Sequence, residues 1–220
     1  MSKVFLYVND ISPPSRTVLM VAKEVKMDYK IREVNLDKQE HLSEEFLKMN
    51  PLHTIPVLDD HGYILSDSHA ISGYMVDEFS NLMALYPKDL QKRALIIRCF
   101  IFEAETLFPP LKRAMRSILM EQQSSISKED IDACKESFSQ LNKLLEGKKK
   151  WLIDHETYTV ADISCVTTAS SASILVDMDL YPNVKAWMKR CEQEIPSYKE
   201  WNVPGLKKLH ALLAPAVPSS

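Results

Sequence analysis

The sequence predicts an α/β unit with a mixed sheet, followed by an all-α unit. Three observations carry this reading. Short apolar runs alternate with amphipathic helical stretches in the first 80 residues. After Pro87 strand signals vanish, and the only glycines left are Gly147 and Gly205. Residues 81–89, between the two regimes, read as a linker. The 220 residues suit one large domain or two small ones, and a hydrophobic content of 45% supplies a core. We expect domains at 1–80 and 88–214.

The elements of the first unit follow in order. Residues 4–8 form an apolar run and predict a strand. Residues 14–26 predict a helix, with Pro13 and Pro14 in a first turn, where missing amide protons cost nothing. Residues 29–34 predict a second strand, and 40–49 a second helix. Pro51 and Pro56 exclude a long regular element between residues 50 and 58. Val57-Leu58 and Tyr63-Ile64-Leu65 flank Asp59-Asp60-His61-Gly62, a hairpin signal. Asp67-Ser68 offers a cap for a helix over 70–79. The sum is β-α-β-α-β-β-α. A crossover at the start and a hairpin near the end imply a mixed sheet.

The second unit reads as helices over 91–120, 128–146, 161–176 and 182–193, with a fraying tail at 214–220. Pro109-Pro110 interrupts the longest pattern and predicts a kink near 105–108. Thr159-Val160-Ala161-Asp162 has the form of a capping box, with Tyr158 and Ile163 at the staple positions. It marks the start of a buried central helix, and its role is folding.

Composition narrows the function classes. A net charge of −3 argues against a nucleic-acid surface. No run of 18 apolar residues exists, so no membrane span is expected. The amino terminus lacks the apolar segment of a signal peptide. Cys99, Cys134, Cys165 and Cys191 are widely spaced with no CxxC, so neither a metal site nor a disulfide framework is indicated. A reducing, cytoplasmic location fits best.

Chemistry concentrates where the first strand meets the first helix, at Ser12-Pro13-Pro14-Ser15-Arg16. Free amides and the helix dipole favour negative charge there. Thioredoxin-like proteins hold a reactive cysteine at such a junction. Ser12 is either a helix cap or a hydroxyl donor to a ligand's thiolate. Ile55-Pro56 precedes an edge strand. A cis bond there presents the backbone of residue 55 to an extended peptide, whereas an ordinary trans turn is the alternative. Asp67 and Ser68 are suited to the amino-acid end of a zwitterion, or to capping alone. His41 and His53 lie near the same sheet and form no metal triad.

Three motifs appear in order: Ser12-Pro13-Pro14-Ser15-Arg16, then Asn50-Pro51-Leu52-His53-Thr54-Ile55-Pro56, then Ser66-Asp67-Ser68-His69-Ala70-Ile71. With the capping box in a helical second half, the chain resembles a cytosolic glutathione transferase over nearly its whole length. The serine motif with His41 and His53 is most similar to the insect delta and epsilon classes, and to epsilon better than delta. The resemblance implies a thioredoxin-like N-terminal domain and an all-helical C-terminal domain. It implies that Ser12 hydrogen-bonds the glutathione sulfur. Ile55, flanked by Thr54 and Pro56, pairs with the cysteinyl backbone, and His41 and His53 meet the glycyl end. Asp67 and Ser68 hold the γ-glutamyl end, beside His69, which stands where many relatives carry arginine. Lys112 or Arg113 reaches in from the long helix. The electrophile pocket draws on Pro14, Phe108, Leu111, Met115, Leu119, Leu206 and His210. Glutathione is then a co-substrate with no permanently bound cofactor, and the assembly a homodimer.

Other readings share this frame. A non-catalytic carrier of hydrophobic ligands uses the same fold, and so does an interaction scaffold. A steroid-handling member like noppera-bo is a further alternative, although Leu111 stands where that group carries an acidic residue. Tyr7 is the rival donor to Ser12, because other glutathione transferase classes use a tyrosine in this strand. A free thiol titrates near 8.5, so lowering it by about two units needs roughly 2.7 kcal/mol of preference for the anion. One charge-assisted hydrogen bond plus a helix N-terminus has that size.

Overall fold

A computed structural model describes residues 4–80, 82–147 and 150–218. Asn81 of the expected linker and Ser219 and Ser220 of the expected tail lie outside the described residues. The sheet has the order β2-β1-β3-β4. Strand β1 (Val4–Val8) runs parallel to β2 (Lys30–Glu33) and antiparallel to β3 (Val57–Asp60), which pairs with β4 (Tyr63–Ser66). Alternation sets the two faces. Val4, Leu6 and Val8 enter the main core, while Tyr7 turns to a smaller cluster around Val34, Phe46 and Val57. The register places Leu6 opposite Leu58 and Tyr7 opposite Val57.

Helix α1 (Pro13–Glu24) is capped by Ser12 and buries nine of its residues, because it is covered from two sides. It packs on α3 (Ser68–Phe79) and on α7 (Val160–Ala172) of the helical half. The expected single helix over 40–49 is corrected. A 3-10 turn, Glu40–Leu42, precedes α2 (Glu44–Met49). Ser43 between them is extended, and its hydroxyl accepts from Phe46 N at 3.2 Å. This local side-chain bond competes with helix continuation. The expected strand over 29–34 is trimmed to four residues.

No strand follows Ser66 among the described residues. The long pattern over 91–120 divides into α4 (Leu90–Phe102) and α5 (Phe108–Leu119), joined by a π turn, Glu103–Leu107. Pro109 and Pro110 sit in the first turn of α5. The wider turn absorbs the donors that the two rings lack, which is the kink expected from them. Helix α8 (Pro182–Glu194) packs on α7 and on α6 (Lys128–Leu144), and α6 packs on α5. Every residue of α7 is buried. Its capping box is present: Thr159 Oγ1 accepts from the Ala161 amide, and the Asp162 carboxylate accepts from Thr159 N. The sequence reading assigned no element after residue 193. A second π turn, Tyr198–Asn202, leads there into α9 (Val203–Leu213). Pro204 in the first turn of α9 was the available signal.

The two halves meet along α1. Glu24 at its end accepts from Tyr158 Oη at 2.9 Å and from Ser197 N at 3.0 Å. Thr17 and Thr167 share a hydroxyl bond of 2.7 Å. This seam fixes α1, whose amino end carries the site, against the helical half.

Candidate functional site

Ser12 ends the turn from β1 into α1. Its amide donates to Asn9 O at 3.1 Å, and its Oγ accepts from Ser15 N at 3.4 Å. Asn9 stiffens the turn: Nδ2 donates to Val34 O at 3.0 Å and Oδ1 accepts from Ile11 N at 3.2 Å. Capping does not exhaust the Ser12 hydroxyl. Accepting one bond leaves the O–H free to donate, and an amide bound to the oxygen polarises it as a donor. Tyr7 is placed differently. Its ring packs edge-on to Phe46 of α2 at 6.4 Å, and burial, with Asp59 adding to it, pushes the phenol pKa up.

The loop before β3 is organised by Asn50, which is buried. Its Nδ2 donates to Thr54 O at 2.8 Å and to Thr54 Oγ1 at 3.1 Å, and its Oδ1 accepts from Leu52 N at 3.2 Å. The motif alone assigns Asn50 no role. The Asn-Pro pair was the signal, because an asparagine side chain commonly bonds the backbone two residues on. The Ile55–Pro56 bond is cis. His53 adopts φ 46° in the left-handed region and presents its ring to His41, centroids 6.4 Å apart. His41 Nδ1 is buried with no hydrogen-bond partner. Burial, and then the neighbouring His53, lowers the His41 pKa. His41 is therefore neutral at neutral pH.

Asp67 turns the chain into α3 at φ 75° and caps it, accepting from His69 N at 2.9 Å and Ala70 N at 3.0 Å through one oxygen. Its side chain stays largely exposed, while Ser68 is buried. His69 bridges this mouth and the helical half: its Nδ1 lies 3.7 Å from Asp67 Oδ1. Its Nε2 meets Ser164 Oγ at 3.0 Å and Glu103 Oε2 at 3.1 Å, and its ring lies 4.6 Å from that of Phe100. The interdomain seam thus holds the imidazole beside the Asp67 carboxylate. Glu103, which the sequence reading missed, also accepts from the Thr168 hydroxyl.

On α5 the helical repeat separates two stripes. Leu111 and Ala114, with Leu107 at the end of the π turn before them, face the core and are completely buried. Phe108, Met115 and Leu119 are half-buried on another face, which also carries exposed Lys112. Leu111 is therefore removed from the expected electrophile pocket. Arg113 is tied to Asp130 of α6 at 2.6 Å, whereas Lys112 has no ion-pair partner among the described residues. Pro14 and Leu206 are half-buried, at the starts of α1 and α9. His210 is half-buried on α9. Its Nε2 donates to Ser170 O at 3.0 Å and Ser171 O at 3.2 Å, closing the end of α7, and burial lowers its pKa.

A cleft of about 450 Å³ lies elsewhere, between α3 and α4, lined by Gly73, Tyr74, Tyr86, Ile97 and Ile101 among others. Ser12, His41, His53 and the Phe108 stripe take no part in it. Among the described residues no group of His, Cys, Asp or Glu is arranged to hold a metal ion. None of the described helices is long and apolar enough to cross a membrane.

Comparison with known proteins bears on the family and the fold. The family model for the glutathione S-transferase N-terminal domain matches residues 11–78, and that for the C-terminal domain matches residues 100–194. Glutathione S-transferase 1 of Manduca sexta is 37% identical over 91% of this chain and 92% of its own. An epsilon-class glutathione S-transferase from the housefly, Musca domestica, superposes with a TM-score of 0.90 at 37% identity, covering 96% and 97% of the two chains. A glutathione transferase homolog from Drosophila mojavensis, solved with bound glutathione, gives 0.91 at 35% identity over 98% of each chain. With its thioredoxin-like domain and helical partner domain, the chain belongs to the glutathione transferase family, and its relatives include insect epsilon- and delta-class members.

Proposed function

We propose that this glutathione transferase joins glutathione to hydrophobic electrophiles, with Ser12 donating to the glutathione thiolate. The observation that carries the assignment is the place of the Ser12 hydroxyl: its oxygen accepts from Ser15 N at a helix entrance, an arrangement in which the O–H can still donate to the sulfur. Dipole and hydrogen bond both favour the anion. The thiolate then attacks the electrophilic carbon, and the electrophile's leaving group departs or its double bond takes up the electron pair. Glutathione comes and goes as co-substrate, with no permanent cofactor.

The rest of the tripeptide fits the surrounding loops. Ile55, between Thr54 and Pro56, offers its backbone to the cysteinyl unit. Ser68 and Asp67 receive the γ-glutamyl end, with His69 and Glu103 behind them. His41 and His53 meet the glycyl carboxylate; the unpartnered Nδ1 of His41 is a group that such an acceptor satisfies. Lys112 reaches over the site, and Pro14, Phe108, Met115, Leu119 and Leu206 line the electrophile side. We place the domains at 1–80 and 88–214, and the protein in the cytoplasm.

Capture on immobilised glutathione, followed by turnover of a generic aryl halide, tests the assignment. Binding without turnover favours the carrier, and failure of both favours the scaffold. His41→Ala and His53→Ala are expected to raise KM for glutathione by about tenfold each, the value of one lost charge-assisted bond, with kcat little changed. Initial-rate kinetics at varied glutathione checks this, and an unchanged KM in both variants refutes the glycyl assignment.

A homodimer completes the proposal. The α3–α4 cleft is open, and Ile97 and Ile101 beside it are 44% and 51% exposed. Sedimentation at micromolar concentration is expected to show twice the 25.2 kDa chain mass. A monomer counts against it.

A further inference from the structure

Arg16 lies one turn into α1 from Ser12 and is completely buried. A fully buried arginine is normally paired with a carboxylate. Here every acceptor is neutral. Nε donates to Asn202 Oδ1 at 2.9 Å. Nη1 donates to the carbonyls of Asp10 at 2.9 Å and Ile11 at 3.0 Å. Nη2 donates to Thr167 O at 3.4 Å and to the Ser171 hydroxyl. The nearby carboxylate of Asp10 is engaged at the surface by Lys208. Burial lowers the guanidinium pKa only to about 10, so the charge persists at neutral pH.

The acceptors show what this cation touches. Asp10 and Ile11 are the two residues that precede Ser12. Drawing both carbonyl oxygens onto one guanidinium fixes the turn from which Ser12 emerges. It also gathers the negative ends of those two peptide dipoles. The remaining anchors come from the helical half: Thr167 and Ser171 on α7, and Asn202 at the end of the π turn. Gly205 lets α9 close over the assembly. A Cβ there would stand 1.9 Å from Asp10 O and 3.1 Å from Arg16 Cδ. Water is excluded, so the field of the cation is weakly screened.

We infer that Arg16 is a positioning residue for the Ser12 turn and the fixed cation that biases the thiol bound there toward its anion, held in place by the helical domain. The inference rests on Ser12 as the partner of the thiol. Other titratable groups around Arg16 do not supply the bias. Tyr198 of the π turn is pushed up by burial, and His210 of α9 is pushed down by burial, so both are neutral at working pH. Asp10 and Lys208 offset one another at the loop mouth.

The test compares wild type with Arg16→Met and Arg16→Lys. It records the ultraviolet thiolate absorbance of the glutathione complex against pH, the pH profile of kcat/KM, and Tm. Arg16→Met is expected to raise the bound-thiol pKa by about one unit, so that kcat/KM falls roughly tenfold below that pKa and recovers above it. Arg16→Lys keeps the charge and is expected to restore at least half of the shift. An unchanged thiolate pKa in Arg16→Met overturns the inference, and so does an Arg16→Lys protein that matches Arg16→Met. Should Arg16→Met fail to fold, Asn202→Leu and Ser171→Ala loosen the guanidinium from the helical side. Each is then expected to raise the pKa by a smaller amount, and no shift in either overturns the inference. Ser12→Ala is run in parallel. A shift with Arg16→Met but none with Ser12→Ala removes the serine and leaves the cation standing. The reverse pattern removes the cation alone.

Discussion

Ser12→Ala is expected to lower turnover steeply at pH 6–7 and progressively less as pH rises. The variant loses one hydrogen bond to an anion, worth about 1.5–3 kcal/mol. That moves the bound-thiol pKa up by roughly one to two units, and thiolate below that pKa falls by about ten- to a hundredfold. The sign follows from the bond itself. A donor to the sulfur stabilises the anion, so its removal favours the protonated thiol. Above the new pKa the thiolate forms unaided and the deficit closes. Glutathione binding is expected to weaken only modestly, because the peptide ends and the Ile55 backbone lie elsewhere. The hydroxyl also caps α1, but through a 3.4 Å bond from Ser15 N, so the cap contributes less than the usual ~1 kcal/mol. The measurement is the pH–rate profile beside thiolate absorbance. A profile parallel to wild type at every pH would remove Ser12 from the mechanism and promote a backbone amide, since Tyr7 is packed on Phe46.

What the sequence disclosed, and what it hid, follows from the range of the interactions involved. Local rules sufficed for the capping box at Thr159, for the cap at Ser12 and for the break ahead of Pro109-Pro110. Each of these is decided within about one helical turn. The hairpin around Gly62 was legible for the same reason. Ser43 was a local signal that the reading passed over: a serine three residues before Phe46 is a helix cap, and it divides the 40–49 segment. Leu111 shows the limit of periodicity. Positions 108, 111, 115 and 119 all look apolar and helical, yet only the packing of α5 against the core tells which stripe is covered. His69, Glu103 and Arg16 were beyond reach, since their partners lie 95, 65 and 186 positions away at Ser164, Thr168 and Asn202. A charged residue on an apolar helix face reads as solvated until another domain is laid over it. Asn202 and Gly205 were silent for the same reason, because Arg16 and Asp10, which meet them, belong to the opposite half of the chain.

Asp162→Ala is expected to have the largest effect on stability of any single substitution considered. Asp162 is completely buried and collects four bonds. Leu152 N and Trp187 Nε1 each donate to Oδ1 at 3.0 Å. Thr159 N donates to Oδ2 at 2.9 Å, and Thr159 Oγ1 at 3.2 Å. Burial pushes the carboxyl pKa up and the four donors pull it back, so the group is held at a cost that only its bonds offset. Alanine leaves three N–H donors without partners in a dry core. Their desolvation comes to about 3–5 kcal/mol, the size seen when one member of a buried charged network is deleted. For a chain of this length that corresponds to a Tm lowered by roughly 10 °C or more. Thr159→Ala removes the capping bond from Ala161 N and the hydroxyl's bond to Asp162, and is expected to cost about 1–2 kcal/mol. Asp162→Asn should fall between the two, because it keeps the volume and one acceptor while turning a donor toward Thr159. The ranking matters more than any one value, since it separates a polar hub from an ordinary cap. Thermal melts of the three variants give it directly. An Asp162→Ala protein as stable as Thr159→Ala would show that the bonds from Leu152 and Trp187 contribute nothing. The start of α7 would then owe its stability to apolar burial alone.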